Sequence, residues 1–334
     1  MKLLITGCTG FIGKHLTKFL YHKGYDLTCL IRKTSNTSNI EDLNIRFIVA
    51  DLTDKANLEN LPDDIETVIH LAAQVDFSAV SDKVYKNMIE TNVNAVENLF
   101  KVMNKKSTDF KRFIHFSSLA ALGFRRGIKV NNQTKADPET LYGKSKLESE
   151  NLLKQLCKDF DKELVIIRPS LVYGEQDYKS DFLQSVRLIN KGIFPVFGNG
   201  NNIMSPFIYI EDLCEICYRF VESKTTGSYI CAMDEGFSIN EFVKILSKIL
   251  NKKRGAIRVP TCLGQALIFP LEIISRILNK PAPLTRKRIK DLSLDRKFKN
   301  IHTDLKKAID YVPQKTLEEG ATSTISWYRL EKLI

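Results

Sequence analysis

The chain has 334 residues, 43% hydrophobic and 27% charged, an ordinary globular balance that excludes a disordered protein and suits about two domains. Its net charge of +11 raises nucleic acid as a partner, but no recognised binding motif or stacking series of aromatics accompanies the basic residues, so none is expected. No uncharged apolar stretch of about 18 residues is present, and no charged-then-apolar leader precedes the first strand, so neither a spanning helix nor a secretory signal is expected.

The first strand-like run, Lys2-Leu3-Leu4-Ile5-Thr6, leads directly into Gly7, Gly10 and Gly13, and a helical pattern follows over about 12–23. Strand, glycine turn and helix form the arrangement that receives a dinucleotide pyrophosphate. Gly7 permits the tight turn, Gly10 lets the backbone approach the phosphates, and Gly13 lets the helix lie close to the sheet. The amides that open the helix, at Phe11, Ile12 and Gly13, then meet the anion at the positive end of the helix dipole. Further strand-like runs at 26–31, 45–49, 67–71, 111–116 and 163–167 alternate with helical patterns at about 53–60, 81–104 and 142–159. This alternation predicts an α/β fold, a doubly wound parallel sheet of the Rossmann type with helices on both faces.

The second strand ends at Arg32-Lys33-Thr34-Ser35, the place where an acidic residue would accept the ribose 2′-hydroxyl of NAD. Two cations and a hydroxyl suit a 2′-phosphate instead, so NADP(H) is expected to be favoured over NAD(H). An Arg32 that simply points into solvent is the plainer alternative. Further on, Phe113-Ile-His-Phe-Ser117-Ser118 ends a strand-like run in two hydroxyls, where doubly wound folds place ligand contacts. Tyr142 and Lys146 follow on one face of a helix marked by Leu147, Leu152, Leu153 and Leu156. An ammonium near a phenol favours the phenolate, so Tyr142 is expected to exchange a proton near neutral pH. Ser, Tyr and Lys converging beside a nicotinamide make a hydride-transfer site.

After Arg168 the rhythm changes: one helix, then a loop signature at Pro195, Gly198 and Gly200, then a late strand at Phe207-Ile-Tyr-Ile210. Tyr229-Ile-Cys231 reads as a further strand before a helix at 238–250. The seven cysteines, at 8, 29, 157, 214, 217, 231 and 262, are odd in number and lack framework spacing, as reduced cytoplasmic thiols would. Cys214 and Cys217 have no second Cys or His pair, so they read as buried thiols and no metal is expected. The segment 262–278 is unusually apolar and interrupted by Pro270. Basic residues gather after it at Arg286-Lys-Arg288, Lys290, Arg296-Lys297 and Lys306-Lys307. A core helix pair beside a solvated basic face, the wall of a lipophilic pocket, and peripheral contact with a membrane all remain open.

Taken in order, these motifs resemble the extended short-chain dehydrogenase/reductase family, its NAD(P)-dependent epimerase/dehydratase group, over nearly the whole chain. Thr6-Gly7-Cys8-Thr9-Gly10-Phe11-Ile12-Gly13 is similar to the family's TGxxGxxG, and Asp51-Leu52 to its adenine-contacting pair. His70-Leu71-Ala72-Ala73 resembles its HxAA strand, whose backbone lines the cofactor. Glu90-Thr91-Asn92-Val93 resembles its Asn-bearing helix, and Arg168-Pro169-Ser170-Leu171-Val172-Tyr173-Gly174 its RPxxVYG turn. The resemblance implies Tyr142 as acid/base and Lys146 as the holder of the nicotinamide ribose that lowers the tyrosine pKa. By spacing to Gly123 it implies Ser118 as the substrate-oxygen contact, with Ser117 in support. It also implies a smaller, discontinuous substrate domain. Residues 1–170 and 207–232 would hold the dinucleotide, and 171–206 and 233–334 a small-molecule substrate. A homodimer stays open.

Departures from the family pattern bear on the substrate. Leu119-Ala120 stand where 4,6-dehydratases carry an Asp-Glu pair, so water elimination is not expected. Leu171 and Ser205 stand where sugar-nucleotide epimerases carry an Asn and an Arg that grip the diphosphate. The chain is in this respect more similar to the dihydroflavonol-reductase and 3β-hydroxysteroid-dehydrogenase branches, which implies an apolar ketone or secondary alcohol. A nucleotide-sugar epimerase with the same Ser-Tyr-Lys site is the alternative. A non-catalytic, NADP-sensing binding protein is a second, which the intact Tyr142 and Lys146 disfavour.

Overall fold

A computed structural model of the chain describes residues 1–76, 81–123, 129–233, 236–277 and 297–334. Leu3, Leu4 and Ile5 of the first strand are all fully buried, which a strand achieves only between two covering layers. Along the chain the strands are β1 (Lys2–Thr6), β2 (Asp26–Ile31), β3 (Arg46–Val49), β4 (Thr67–His70), β5 (Arg112–Phe116), β6 (Lys129–Val130) and β7 (Glu163–Pro169). They continue as β8 (Leu171–Tyr173), β9 (Phe194–Phe197), β10 (Phe207–Tyr209), β11 (Gly227–Cys231), β12 (Ala256–Val259) and β13 (Lys297–Phe298). Seven of them form one parallel sheet in the order β11-β7-β5-β4-β1-β2-β3. The chain reverses direction of winding between β1 and β4, and the glycine turn sits at that switch point.

Strand alternation divides the core in two. Leu3, Ile5, Cys29, Ile69, Ile114 and Ile167 face one helical layer, and Leu4, Leu30, Val68 and Phe113 the other. The helices are α1 (Phe11–His22), α2 (Asp82–Ile89), α3 (Ala95–Lys106), α4 (Leu141–Asp159), α5 (Asp181–Asn190) and α6 (Ile210–Glu222). After them come α7 (Ile239–Ile249), α8 (Thr261–Ile277), α9 (Ile301–Ile309) and α10 (Leu317–Leu330). Cys214 and Cys217 on α6 are buried, in keeping with apolar packing. All seven cysteines are free.

Three elements differ from the periodicity reading. The pattern at 53–60 is a 3-10 helix, Lys55–Asn60, capped by Asp54. The long helix expected over 81–104 is α2 and α3 joined by a π turn, Glu90–Asn94, that carries Asn92. The late strand β10 pairs with β8 outside the main sheet, and the chain rejoins that sheet only through β11. Of the basic cluster, residues 286–296 lie outside the described residues, while Lys297, Lys306 and Lys307 are exposed.

Candidate active site

Two turns at the carboxyl ends of the central strands build the site. At the first, Gly7 has φ +72°, and a Cβ there would lie 2.6 Å from the Ala72 backbone nitrogen. A Cβ on Gly13 would lie 2.0 Å from the Gly7 carbonyl oxygen, so α1, the turn and the end of β4 touch backbone to backbone. Gly10 is different: it is exposed, and a Cβ would meet only the Gly7 oxygen at 3.3 Å. Internal packing makes a weak demand for glycine there, so the open backbone above it suits a pyrophosphate. Helix α1 starts at Gly10 with no side-chain cap, and its first backbone bond runs from Lys14 N–H to Gly10 at 3.0 Å. The Phe11, Ile12 and Gly13 amides therefore precede the first helical bond, as phosphate-binding amides must. A dinucleotide fits this cradle.

The second turn follows β5. Ser118 caps a 3-10 turn, Leu119–Ala121, and accepts from Ala120 N–H at 3.1 Å. Helix α4 begins beside it under a Thr140 cap on Gly143 N–H at 3.0 Å. A Cβ on Gly143 would lie 2.4 Å from the Ala120 carbonyl oxygen. Only glycine allows α4 so close to the Ser118 turn, and that approach sets the Tyr142 phenol near Ser118. Sequence reasoning missed Gly143, although it sits between Tyr142 and Lys146.

Tyr142 and Lys146 are both buried, 6% and 1% exposed. Burial pushes the Tyr142 phenol up to about 12, with the nearby Ser118 hydroxyl working the other way. The net direction is opposite to the lowering expected from Lys146, because desolvation is the largest influence on the phenol. A phenol held neutral is a proton donor at neutral pH. Burial also lowers Lys146 to about 8, against the opposing pull of Glu150. The Lys146 ammonium makes no side-chain hydrogen bond among the described residues, and a buried cation of this kind suits polar ligand hydroxyls.

Below the pair lies a polar network that sequence reasoning did not find. Glu150 is fully buried one turn after Lys146, accepting from Arg168 at 2.9 and 2.5 Å and from Ser117 at 2.6 Å. Burial works to raise its carboxyl, and Arg168, Ser117 and Lys154 overcome that and hold it below its ordinary value. Ser117 is thus a supporting strand-end residue. His70 and His115 stack with ring centroids 5.6 Å apart, His70 Nδ1 lying 2.8 Å from Thr6 Oγ1 and His115 Nε2 2.9 Å from Ser149 Oγ. Burial first, then the Lys146 charge, keeps both imidazoles neutral, His70 at about 3. The stack links the glycine turn to α4.

The remaining candidates are distributed around this centre. Asn92 is 1% exposed, and its amide is engaged by the protein: it accepts from Gln74 N–H at 2.7 Å and donates to the Gln74 carbonyl and to Ser145 Oγ, each at 3.0 Å. It therefore clamps the loop after β4 to α4. Arg32 and Lys33 are exposed after β2, and the Arg32 charge helps to hold the Asp51 carboxyl low, after the larger effect of its bonds from Thr53. The Leu52 side chain belongs to the core, Ala72 and Ala73 are half-buried beyond β4, and Pro169 is buried where β7 meets β11. Leu171 is 38% exposed, whereas Ser205 is buried.

A parallel sheet with a glycine turn at its switch point and a Tyr-Lys helix beside it describes a dinucleotide-dependent oxidoreductase of the short-chain type. The chain belongs to the NAD dependent epimerase/dehydratase family, whose family model matches residues 3–232. It is 28% identical to the UDP-glucose 4-epimerase of Vibrio cholerae, over 96% of this chain and 94% of that protein. It is 26% identical to the decarboxylating sterol-4-alpha-carboxylate 3-dehydrogenase of Dictyostelium discoideum, over 85% of this chain and 88% of that one. The crystal structure of UDP-glucuronic acid 4-epimerase from Bacillus cereus with UDP-glucuronic acid and NAD shares the fold. Its TM-score is 0.76 at 23% identity, covering 99% of this chain and 100% of that one.

Proposed function

We propose that the protein reduces a carbonyl, or oxidises the matching secondary alcohol, on an uncharged and largely apolar substrate, using NADP(H). The observation that carries this reading is the buried Tyr142, set beside the Ser118 turn, with the buried Lys146 one turn further on. A bound nicotinamide supplies or accepts the hydride. Tyr142 Oη holds the proton that the substrate oxygen takes up, and burial keeps it there at neutral pH. Ser118 Oγ orients that oxygen. Lys146 places a positive charge beside the ribose and the phenol, and stays mostly protonated below pH about 8. Gly7, Gly10, Phe11, Ile12 and Gly13 hold the pyrophosphate, Asp51 and Leu52 the adenine side, and Ala72, Ala73 and Pro169 the nicotinamide side, where Asn92 fixes the loop after β4. Arg32 and Lys33 take the 2′-phosphate.

For the substrate, an exposed Leu171 and a buried Ser205 at the two positions of the diphosphate grip support an apolar molecule. Leaving a diphosphate without cationic partners in a closed pocket is expensive. Residues 1–170 with 207–232 serve the cofactor, and 171–206 with 233–334 the substrate; the free thiols support a reducing, cytoplasmic setting. A second reading, nucleotide-sugar epimerase, is favoured by the likeness to the Vibrio cholerae protein. Calorimetry on NADP-loaded protein separates them. Binding and turnover of a hydrophobic ketone without UDP-hexose binding is expected, whereas micromolar UDP-hexose binding without ketone turnover would promote the epimerase.

A further inference from the structure

Among the described residues of helix α8, most apolar side chains face outward. Between Thr261 and Pro270, the inward positions among the described residues are Gly264 and Ile268, and Ile268 packs with Phe197 and Val259. The exposed positions are Cys262, Leu263, Ala266, Phe269 and Pro270, with Leu263 51% and Phe269 45% exposed. At 3.6 residues per turn these five fall within an arc of about 120°, the arc on which a water-facing helix carries its polar residues. Gln265, the sole amide side chain of this stretch, is half-buried at the edge of the arc. The β9–β12 strand pair on which Ile268 packs exposes apolar side chains too: Ile257 on β12 is 49% exposed, and Ile193, one residue before β9, is 47% exposed.

Charge decides what this face accepts. The stretch 251–271 holds Lys252, Lys253, Arg254 and Arg258 and not one Asp or Glu. All four cations are exposed, as is Lys191. A Cβ on Gly192 would lie 3.1 Å from the Arg254 carbonyl oxygen, so Lys191 and the basic turn stand side by side at the rim of the apolar face. A second copy docking through this patch about a two-fold axis would bring these cations toward their own equivalents. A layer of anionic headgroups over acyl chains matches both the apolar arc and its rim. Among the described residues no helix is long and apolar enough to cross a membrane, so α8 would lie along the surface.

We propose that the α8 face, with Ile193, Ile257 and the rim cations, seats the protein on an anionic lipid surface. The proposal does not depend on the substrate class. Flotation of the full chain with vesicles of phosphatidylcholine and phosphatidylglycerol, and with phosphatidylcholine alone, tests it. The unmodified protein is expected to float with the anionic vesicles and to be released by high salt. Leu263→Glu, and separately Lys253→Glu with Arg254→Glu, should each lower partitioning about tenfold or more. NADPH binding, followed by fluorescence, should be unchanged in both, which certifies the fold. Three results would overturn the proposal. One is folded, NADPH-binding protein that ignores anionic vesicles. Another is partitioning unaffected by either variant. The third is a lipid-free dimer in sedimentation that Leu263→Glu dissociates, which would assign the face to a second copy.

Discussion

Replacing Glu150 with Gln tests the network beneath the Tyr-Lys pair. The substitution keeps the shape and removes the charge from a carboxylate that is fully buried. The new amide carbonyl can still accept from Arg168 Nε and Ser117, at the places now bonded at 2.9 and 2.6 Å. Its NH2 group, however, meets the Arg168 Nη2 donor that now lies 2.5 Å from Glu150 Oε2. Arg168, only 4% exposed, becomes a buried cation without a counter-charge, which costs about 3–5 kcal/mol. The lower end applies because the one remaining acceptor, the amide oxygen, keeps both the Arg168 Nε and the Ser117 bonds, and the half-exposed Lys154 at 3.7 Å adds little. In a chain of this length each kcal/mol moves Tm by about 2 °C, so a fall of about 6 °C is expected by differential scanning calorimetry. Glu150→Met combined with Arg168→Met removes both charges and should recover more than half of that loss. A single-variant Tm within about 2 °C of the unmodified protein would refute the argument. So would a double variant as unstable as the two single losses added together.

Because Glu150 has its carboxyl held below the ordinary 4.5, its contribution to stability is complete above that value and is lost as pH falls through the lower folded-state value. The stability gap between the unmodified protein and Glu150→Gln, measured by urea unfolding, should therefore narrow below pH ~4. Glu150 also raises Lys146, so in Glu150→Gln the loss of NADPH affinity that begins near pH 8 should start at lower pH; an unmoved profile rejects the coupling. Tyr142→Phe should lower turnover about 10²–10⁴-fold with NADPH affinity nearly intact, and residual activity above about a tenth rejects its acid/base role. Arg32→Asp should reverse the cofactor preference by removing a contact of roughly 1.5–3 kcal/mol, and tighter NADH than NADPH binding in the unmodified protein would contradict the assignment. Gly13→Ala must move α1 away from the Gly7 carbonyl, 2.0 Å from the new Cβ, so loss of NADPH binding is expected by fluorescence titration.

The sequence by itself determined what is local or repeats with a period. Gly7, Gly10 and Gly13 announce their turn because spacing within one turn is itself the constraint. Tyr142 and Lys146 announce a shared helix face for the same reason, and the alternation of apolar runs was enough for the parallel sheet. Tertiary structure decided what depends on partners distant in the chain. The break of 81–104 into α2, a π turn and α3 goes with an Asn92 that bonds Gln74 and Ser145. The need for glycine at 143 arises from a carbonyl at Ala120. Glu150 looks like one more polar helix residue until β7 brings Arg168 and β5 brings Ser117 against it. Tyr142 was read from its neighbour four residues on, whereas its proton affinity is governed by burial, a property of everything packed around the phenol. The outward apolar arc of α8 follows the same rule, since its composition was plain in the chain and only the packing of Ile268 on Phe197 and Val259 determined which side remained for solvent.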